Sequence, residues 1–257
     1  MTGNNKSIVL QERDRHLLRE LAVVRVIDRE QAKIIAGFGS TTRANARLLA
    51  LTRAGFLRRY FLGTVGGARK ALYAMSRHGA ELVEVPYRGP RRERDHILAA
   101  DFFTAHQLEI NDLYCAMKYK PIPADARFVR WLAFFERITP NGALIPDGYV
   151  EIETSEKKLA MFLEVDLGNE SLSVWRRKVQ AYLSYAVSGN FVEQFGHQQF
   201  RVLAITNSKR RQASIRTATA ELSHRIFWFT TMGAIRRESL WSAIWQRPVE
   251  EQLISLL

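Results

Sequence analysis

Residues 40–75 read STTRANARLLALTRAGFLRRYFLGTVGGARKALYAM. Ser40 is a favoured helix N-cap, and the apolar residues that follow it recur every three or four positions, as one face of a helix requires. These apolar residues are Ala44, Leu48 and Leu51. The first half of the stretch therefore predicts a helix that runs from Ser40 to about Ala54.

A β-hairpin is predicted directly after this helix. Gly55 ends the helix, and the strand-like segments Phe56–Leu62 and Lys70–Met75 flank the glycine-rich turn Gly63–Gly67. This turn lacks the Gly-x-x-x-x-Gly-Lys-[Ser/Thr] spacing of a P-loop, so it predicts no ATP site.

Two amphipathic helices precede this stretch, at Gln11–Val24 and at Arg29–Ala36, and the second is capped by Asp28 and ended by Gly37. Helices in this order, followed by a hairpin, predict a winged helix-turn-helix, which presents its last helix to the DNA major groove. The residues after Leu51 resemble the end of many winged-helix DNA-binding domains. We expect residues 1–90 to form such a domain.

The outward face of the third helix predicts the contacts to DNA bases, since arginine and asparagine can each hold a base edge through two hydrogen bonds. The candidates are Thr42, Arg43, Asn45 and Arg47. Basic residues in the hairpin are better placed for phosphates. These are Arg58, Arg59, Arg69 and Lys70. Winged helices also mediate protein contacts, and that alternative stays open at this point.

The distribution of charge supports a nucleic-acid-binding N-terminal third. The chain has 257 residues and a formal net charge of +12, and residues 1–90 contain 16 Lys and Arg against 7 Asp and Glu. Such a concentration of positive charge attracts phosphates, although a basic solvated surface has the same composition.

The single cysteine, Cys115, excludes a disulfide within the chain and a Cys-rich zinc site. No apolar run has the length of a signal peptide or of a membrane span. We therefore expect a cytoplasmic protein.

Residues 91–257 predict a second domain of mixed α/β (α+β) class, joined to the first by the linker Pro86–Pro90. Periodicity indicates helices at 92–117, 172–187 and 209–222, and strands at 127–135, 147–153, 159–166, 200–207 and 226–231. Helices are expected to cover both faces of the sheet.

Three carboxylates are predicted to meet beside this sheet. Glu164 and Asp166 lie two residues apart on one strand and therefore project from the same face, and Asp147 begins the strand that should pair with it. Carboxylates this close repel one another unless a cation lies between them, and Mg²⁺ (or Mn²⁺) accepts such oxygen ligands. The alternative is an exposed strand end with solvated acids.

Pro146–Asp147 and Glu164–Val165–Asp166 resemble the motif of the PD-(D/E)xK nucleases. The family's lysine falls at position 166, where this chain has Asp, and Lys178 on the next helix is the candidate replacement. The resemblance implies a restriction-endonuclease-like domain with catalytic Asp147, Glu164, Asp166 and Lys178. It also implies that the three acids bind a metal ion, to which the preceding helix could add Glu109 or Asp112.

A longer set of residues is similar to the replication-relaxation family, whose members include MobC-type plasmid relaxases. The set comprises His96–Leu98, Glu109–Leu113, Trp131, Pro146–Asp147, Phe162–Gly168, Lys178 and Tyr182. The resemblance implies double-stranded DNA of a transfer or replication origin as the partner, and metal-dependent nicking during plasmid mobilisation or conjugation. It also admits a coupling or accessory protein as a partner.

Three functions remain open at this point: a relaxase-like nickase, a non-catalytic origin-binding regulator with a degenerate nuclease-like domain, and an adaptor in a transfer or replication complex. Asp166 at the lysine position favours the second, and Asp147 with Glu164 favours the first. We expect Tyr182 to pack in the core, so that water attacks the DNA, and His96 to lie on a helix face without a catalytic role. The oligomeric state stays open.

Overall fold

A computed structural model describes residues 8–63, 69–87, 97–139 and 142–257, and for residues 97–102 it describes the backbone alone. The protein combines helices with two β-sheets, one antiparallel and one mixed. This confirms the predicted α/β (α+β) class. The chain divides into two compact units, Met1–Cys115 and Ala116–Leu257.

The first unit begins with three helices and one short strand, which are α1 (Glu12–Val24), β1 (Val26–Asp28), α2 (Arg29–Ala36) and α3 (Thr41–Arg53). A hairpin and a further helix follow, which are β2 (Leu57–Gly63), β3 (Arg69–Met75) and α4 (Arg77–Leu82). Strand β3 lies between β1 and β2 in an antiparallel sheet. The elements occur in the order that a winged helix-turn-helix requires, and the turn at 64–68 lies outside the described residues.

Local sequence explains where α2 and α3 begin and end. Asp28 Oδ1 accepts a hydrogen bond from Gln31 N at 2.8 Å, and Gln31 Oε1 accepts one from Asp28 N at 3.3 Å, so the two residues form a capping box. Gly37, at a φ of 63°, ends α2 in the left-handed conformation, which glycine adopts without strain. Ser40 then caps α3 by accepting a hydrogen bond from Arg43 N at 3.2 Å. These caps fix the tight connection between the two helices.

Residues 97–115 of the long helix α5 (Ile97–Lys118) belong to the first unit. Leu108 of α5 is buried against Leu62 and Leu72 on one face of the small sheet. The sequence prediction assigns this helix to the second domain, with the boundary at residue 90. The compact units divide within α5 at Cys115, and residues 88–96 around the predicted boundary lie outside the described residues.

Polar side chains fasten α5 to the first unit. The Asn111 amide donates hydrogen bonds to the carbonyl oxygens of Val24, at 3.1 Å, and Val26, at 2.5 Å. The Gln31 amide donates to the carbonyl oxygen of Leu108 at 2.8 Å. Buried hydrogen bonds of this kind are costly to lose, because each carbonyl would be left without a partner. Gln31 and Asn111 are therefore part of the first unit's interior.

The second unit is built on a five-stranded sheet with the order β4-β5-β6-β7-β8. Its elements after α5 are β4 (Ala126–Leu132), β5 (Gly148–Thr154), β6 (Lys158–Asp166), α6 (Leu172–Val187), α7 (Asn190–Phe195), β7 (Arg201–Thr206), α8 (Lys209–Ala220), β8 (Phe227–Thr231) and α9 (Met232–Arg237). Neighbours among β4, β5 and β6 pair antiparallel, whereas β6, β7 and β8 are parallel. The predicted antiparallel pairing of β5 with β6 is confirmed.

Both faces of this sheet are buried: Val150, Met161 and Leu203 on one face are 0% exposed, and the other face carries a large hydrophobic cluster. Helices α6 and α8 pack on it, with buried side chains such as Phe162, Trp175, Tyr182, Ile215 and Phe227. Because β6, β7 and β8 are parallel, their carboxyl ends meet at a single edge of the sheet. The same edge holds the start of β5, and this is where the candidate site lies.

Candidate functional site

The hairpin of β5 and β6 brings two of the predicted acids together. Gly148 pairs with Leu163, so Asp147, one residue earlier, faces Glu164 across the two strands. The Val165 amide donates a hydrogen bond to Asp147 Oδ2 at 2.7 Å. The backbone of β6 therefore orients the Asp147 carboxylate beside Glu164.

Glu164 is almost completely buried, with 1% of its surface exposed, and contacts two side chains of α6. The Tyr182 hydroxyl donates a hydrogen bond to Glu164 Oε1 at 2.6 Å. Lys178 Nζ lies 2.8 Å from Glu164 Oε2 and 3.3 Å from Glu170 Oε2. Among the described residues, Glu164 Oε2 has this ion pair but no hydrogen bond of good geometry. Lys178, predicted to replace the motif lysine, is thus adjacent to Glu164.

Burial and neighbouring charges shift the pKa values of Glu164, Lys178 and Tyr182. Burial is the largest cause of a rise in the pKa of Glu164 to about 7; Lys178 and Tyr182 lower this pKa in part, and Asp147 adds to the rise. Burial lowers the pKa of Lys178, but attraction to Glu164 and Asp147 outweighs burial and raises it above its usual range. Burial, followed by Glu164, raises the pKa of Tyr182. Lys178 is therefore expected to stay positively charged, and Glu164 is harder to ionise than an exposed carboxyl group.

The third predicted acid, Asp166, is held by an arginine of α8. Arg211 Nε lies 3.1 Å from Asp166 Oδ1 and 3.0 Å from Oδ2, and Arg211 Nη2 lies 2.6 Å from Oδ2. The Gly168 amide donates to Asp166 Oδ1 at 2.6 Å. Gly168 has a φ of 87°, a conformation that favours glycine. Arg211 thus supplies the positive charge that the sequence analysis expects from a metal ion at this position.

The fourth predicted metal ligand, Asp112, belongs to the first unit, where its Oδ1 accepts a hydrogen bond from the Gln31 amide at 2.7 Å. Across the part of the chain that the structure describes, no group of three or more His, Cys, Asp or Glu side chains is arranged to hold a metal ion. Two facing carboxylates remain, those of Asp147 and Glu164. His96 lies outside the described residues.

On the first unit, the predicted base-contacting residues of α3 divide into two groups. Thr42, Arg43 and Asn45 are exposed. Arg47 instead forms an ion pair with Asp14, whose side chain is fully buried, and its Nη2 donates to the Val9 carbonyl at 2.7 Å. The hydrogen bond with Asp14 raises the pKa of Arg47. A buried carboxylate requires a cation, so the guanidinium turns inward and does not present itself as a base contact.

The hairpin exposes most of the predicted phosphate contacts. Arg58, Arg59 and Arg69 are exposed, and the guanidinium of Arg59 lies 5.1 Å from the centre of the Phe61 ring. Lys70 forms an ion pair with Asp28. The hairpin therefore carries several cations beside an exposed aromatic ring.

A comparison with family models identifies the class of this two-unit α/β protein. The model described as replication-relaxation matches residues 18–199, most of the chain. The protein therefore belongs to the replication-relaxation family, which confirms the resemblance found in its sequence and indicates a role in DNA replication or relaxation. No curated protein and no solved structure gave a match. In the described ranges, no helix is both long and apolar enough to cross a membrane.

The family match includes Asp147, Glu164 and Lys178 but ends before β7. Arg211 lies beyond it and was not predicted from the sequence as part of the site. The available signal was the basic start of α8, directly after a strand that runs parallel to β6.

Proposed function

We propose that this protein binds duplex DNA at a transfer or replication origin and nicks one strand by metal-dependent hydrolysis. The observation that carries the proposal is the group of Asp147, Glu164 and Lys178. Two acids face each other across β5 and β6, and an ammonium lies 2.8 Å from one of them. Acids and a lysine in this arrangement resemble the nuclease motif, with the lysine supplied by α6.

DNA binding is supported by the exposed surface of α3 and of the hairpin. Arg43, Arg58 and Arg69 are exposed, and no described residue forms an ion pair with them. Exposed cations of this kind bind phosphates or base edges, and phosphate contacts make the affinity depend on salt. Thr42 and Asn45 add hydrogen-bonding groups on the same helix.

Asp147 and Glu164 are the residues that would hold a Mg²⁺ or Mn²⁺ ion. They fit a hard cation because both offer carboxylate oxygens and face each other across β5 and β6. Two carboxylates are enough for Mg²⁺, which usually keeps several waters. When bound, the ion would supply activation of water and neutralisation of charge on the phosphate.

The protein's own groups orient these acids and complement the phosphate. The Val165 amide holds Asp147, and the Tyr182 hydroxyl holds Glu164. The ammonium of Lys178 is suited to stabilise the negative charge that develops on an attacked phosphate. Since the Tyr182 hydroxyl is buried and donates to Glu164, water is the proposed nucleophile.

A second candidate function is non-catalytic binding of the origin by a regulator, which could act with a coupling or accessory protein. Two contacts favour it. Lys178 already neutralises Glu164, and Arg211 already neutralises Asp166. Acids that are paired within the protein have less need of a metal ion.

Supercoiled plasmid that carries the intergenic DNA beside the gene separates the two functions. We expect open-circular product with Mg²⁺ or Mn²⁺, none with a chelator, and no protein attached to the DNA after denaturation. Tight binding without nicking under either metal would favour the regulator. Failure to bind any DNA would contradict both functions.

A further inference from the structure

Three cations follow one another at the start of α8: Lys209, Arg210 and Arg211. Lys209 and Arg210 are exposed, and no described residue forms an ion pair with either of them. Positive charges are unfavourable in the first turn of a helix, where the helix dipole favours acids. Stabilisation of α8 therefore does not account for these cations.

The start of α8 lies against the end of β6. Asp166 pairs with Thr206 in the parallel register of β6 and β7. The Asn207 side chain donates a hydrogen bond to the carbonyl oxygen of Leu167 at 2.6 Å. Glu164 precedes Asp166 by two residues and shares its face of the sheet. Arg211 is therefore close to the Asp147–Glu164 pair, and Lys209 and Arg210 precede it in the first turn of α8, within the same compact unit.

Arg211 is held in a fixed orientation that leaves part of its guanidinium available. Nε and Nη2 both bind Asp166, whereas Nη1 has no hydrogen-bond partner among the described residues. The side chain is 13% exposed. An arginine fixed in this way by a carboxylate keeps further N–H donors that can bind a phosphate oxygen. Asp166 occupies the position at which the nuclease motif has its lysine. Because Asp166 holds Arg211, the cation at this position is the guanidinium of Arg211.

We infer that Lys209, Arg210 and Arg211 form a surface that binds the sugar-phosphate backbone of a DNA strand beside Asp147 and Glu164. We call these three residues the α8 surface. The inference rests on the proposed function for the identity of the ligand as DNA. The α8 surface lies after residue 199, where the family match ends.

The salt dependence of DNA binding by the full chain tests this inference. Each phosphate contact contributes about −0.9 to the slope of log K against log salt concentration. The double variant Lys209→Gln/Arg210→Gln should therefore reduce the magnitude of the slope by about 2, measured with a fluorescent duplex of the intergenic DNA. The matched control is Lys157→Gln/Lys158→Gln, which removes the same charge from the opposite end of β6 and should leave the slope unchanged.

An unchanged slope in a folded α8 double variant would overturn the inference, as would an equal decrease in the control, because net charge would then explain the effect. Arg211→Lys keeps a cation at Asp166 but loses the planar fork, so we expect severalfold weaker binding. Unchanged affinity would exclude Arg211 from the surface.

Nicking by the wild type, measured in parallel, separates this inference from the proposed function. If the wild type nicks DNA and the double variant has an unchanged slope, only the inference on the α8 surface is overturned. If the double variant has a slope of smaller magnitude but the wild type does not nick DNA, the result supports DNA binding by the α8 surface and contradicts the proposed nickase activity.

Discussion

Arg43 and Arg47 lie four residues apart on α3 and have different surroundings. Arg43 is exposed, whereas Arg47 forms an ion pair with the fully buried Asp14. Removing the cation from a buried carboxylate is strongly destabilising. Arg47 therefore stabilises the first unit, whereas Arg43 is exposed to solvent.

The two arginines should respond differently to substitution. We expect Arg47→Ala to lower the free energy of unfolding by about 3 kcal/mol, because Asp14 loses its partner. Arg43→Ala should change stability by less than about 0.5 kcal/mol and should weaken DNA binding. Urea unfolding and DNA titration measure the two effects. Equal stability of the variants would show that Asp14 does not depend on Arg47.

Tyr182→Phe tests the role of the buried hydroxyl. The ring should stay in the aromatic core, but Glu164 loses a hydrogen bond, so we expect stability to fall by about 1–2 kcal/mol. Nicking should be retained, and the product should carry no attached protein. Abolished nicking in this variant, together with wild-type protein linked to its DNA, would identify Tyr182 as the nucleophile.

At the scale of elements, strong local signals predicted boundaries well and weak ones did not. The bounds of α2 (Arg29–Ala36) and α6 (Leu172–Val187) agree with the prediction, because each helix has an N-cap and a periodic apolar face. Helices α4, α7 and α9 have six residues each and were not predicted. Such short helices contain too few turns to show a period.

The same difference between local and distant signals applies to the candidate site. Asp147 and Glu164 could be paired from strand alternation and from the hairpin between them. The contact of Asp166 with Arg211 joins residues 45 positions apart, and that of Asp14 with Arg47 joins residues 33 apart. These pairs form only when whole helices and strands pack together, so a local sequence pattern cannot predict them.

Strand β5 carries another buried acid, Glu151, away from the candidate site. Its Oε1 accepts hydrogen bonds from Arg130 Nη2 at 2.6 Å and from the Tyr149 hydroxyl at 2.7 Å, and His197 Nε2 lies 3.0 Å away. Burial alone would raise the pKa of Glu151, but the bonds with Tyr149, Arg130 and His197 outweigh burial and lower it. Glu151 is therefore expected to be ionised in the folded protein.

The lowered pKa predicts a pH dependence of stability. A carboxylate of this kind stabilises the fold above its unfolded pKa of about 4.5, and the stabilisation is lost as pH falls through the folded value. Glu151→Gln should be less stable by about 1–2 kcal/mol near pH 7 and should lose less stability on acidification. Urea unfolding between about pH 7 and pH 3 measures both effects. Parallel stability curves for the two proteins would contradict this role of Glu151.

At the scale of the whole molecule, α5 determines the extent of the first unit. Leu108 covers Leu62 and Leu72, and Asn111 satisfies two backbone carbonyls. A fragment that ends at residue 90 would expose this apolar face. The first compact unit therefore includes α5 as far as Cys115.

Two fragments test this extent. Residues 1–118 should unfold cooperatively, whereas residues 1–90 should have a Tm lower by about 10 °C or more, since they lose apolar burial and hydrogen bonds. Thermal circular dichroism of both fragments measures the difference. Equal midpoints would mean that α5 contributes nothing to the stability of the first unit.

The nuclease proposal is tested most directly by DNA nicking and DNA binding of Glu164→Gln. The amide keeps the shape of the side chain and can still accept a hydrogen bond from Tyr182, but it removes the carboxylate that would hold a cation. We predict unchanged DNA affinity and a loss of Mg²⁺-dependent nicking of more than about tenfold, which corresponds to about 1.4 kcal/mol of barrier. Glu170→Gln, which alters the more exposed acid beside Lys178, is the matched control and should keep its activity. Nicking by Glu164→Gln at the wild-type rate would contradict the proposed site.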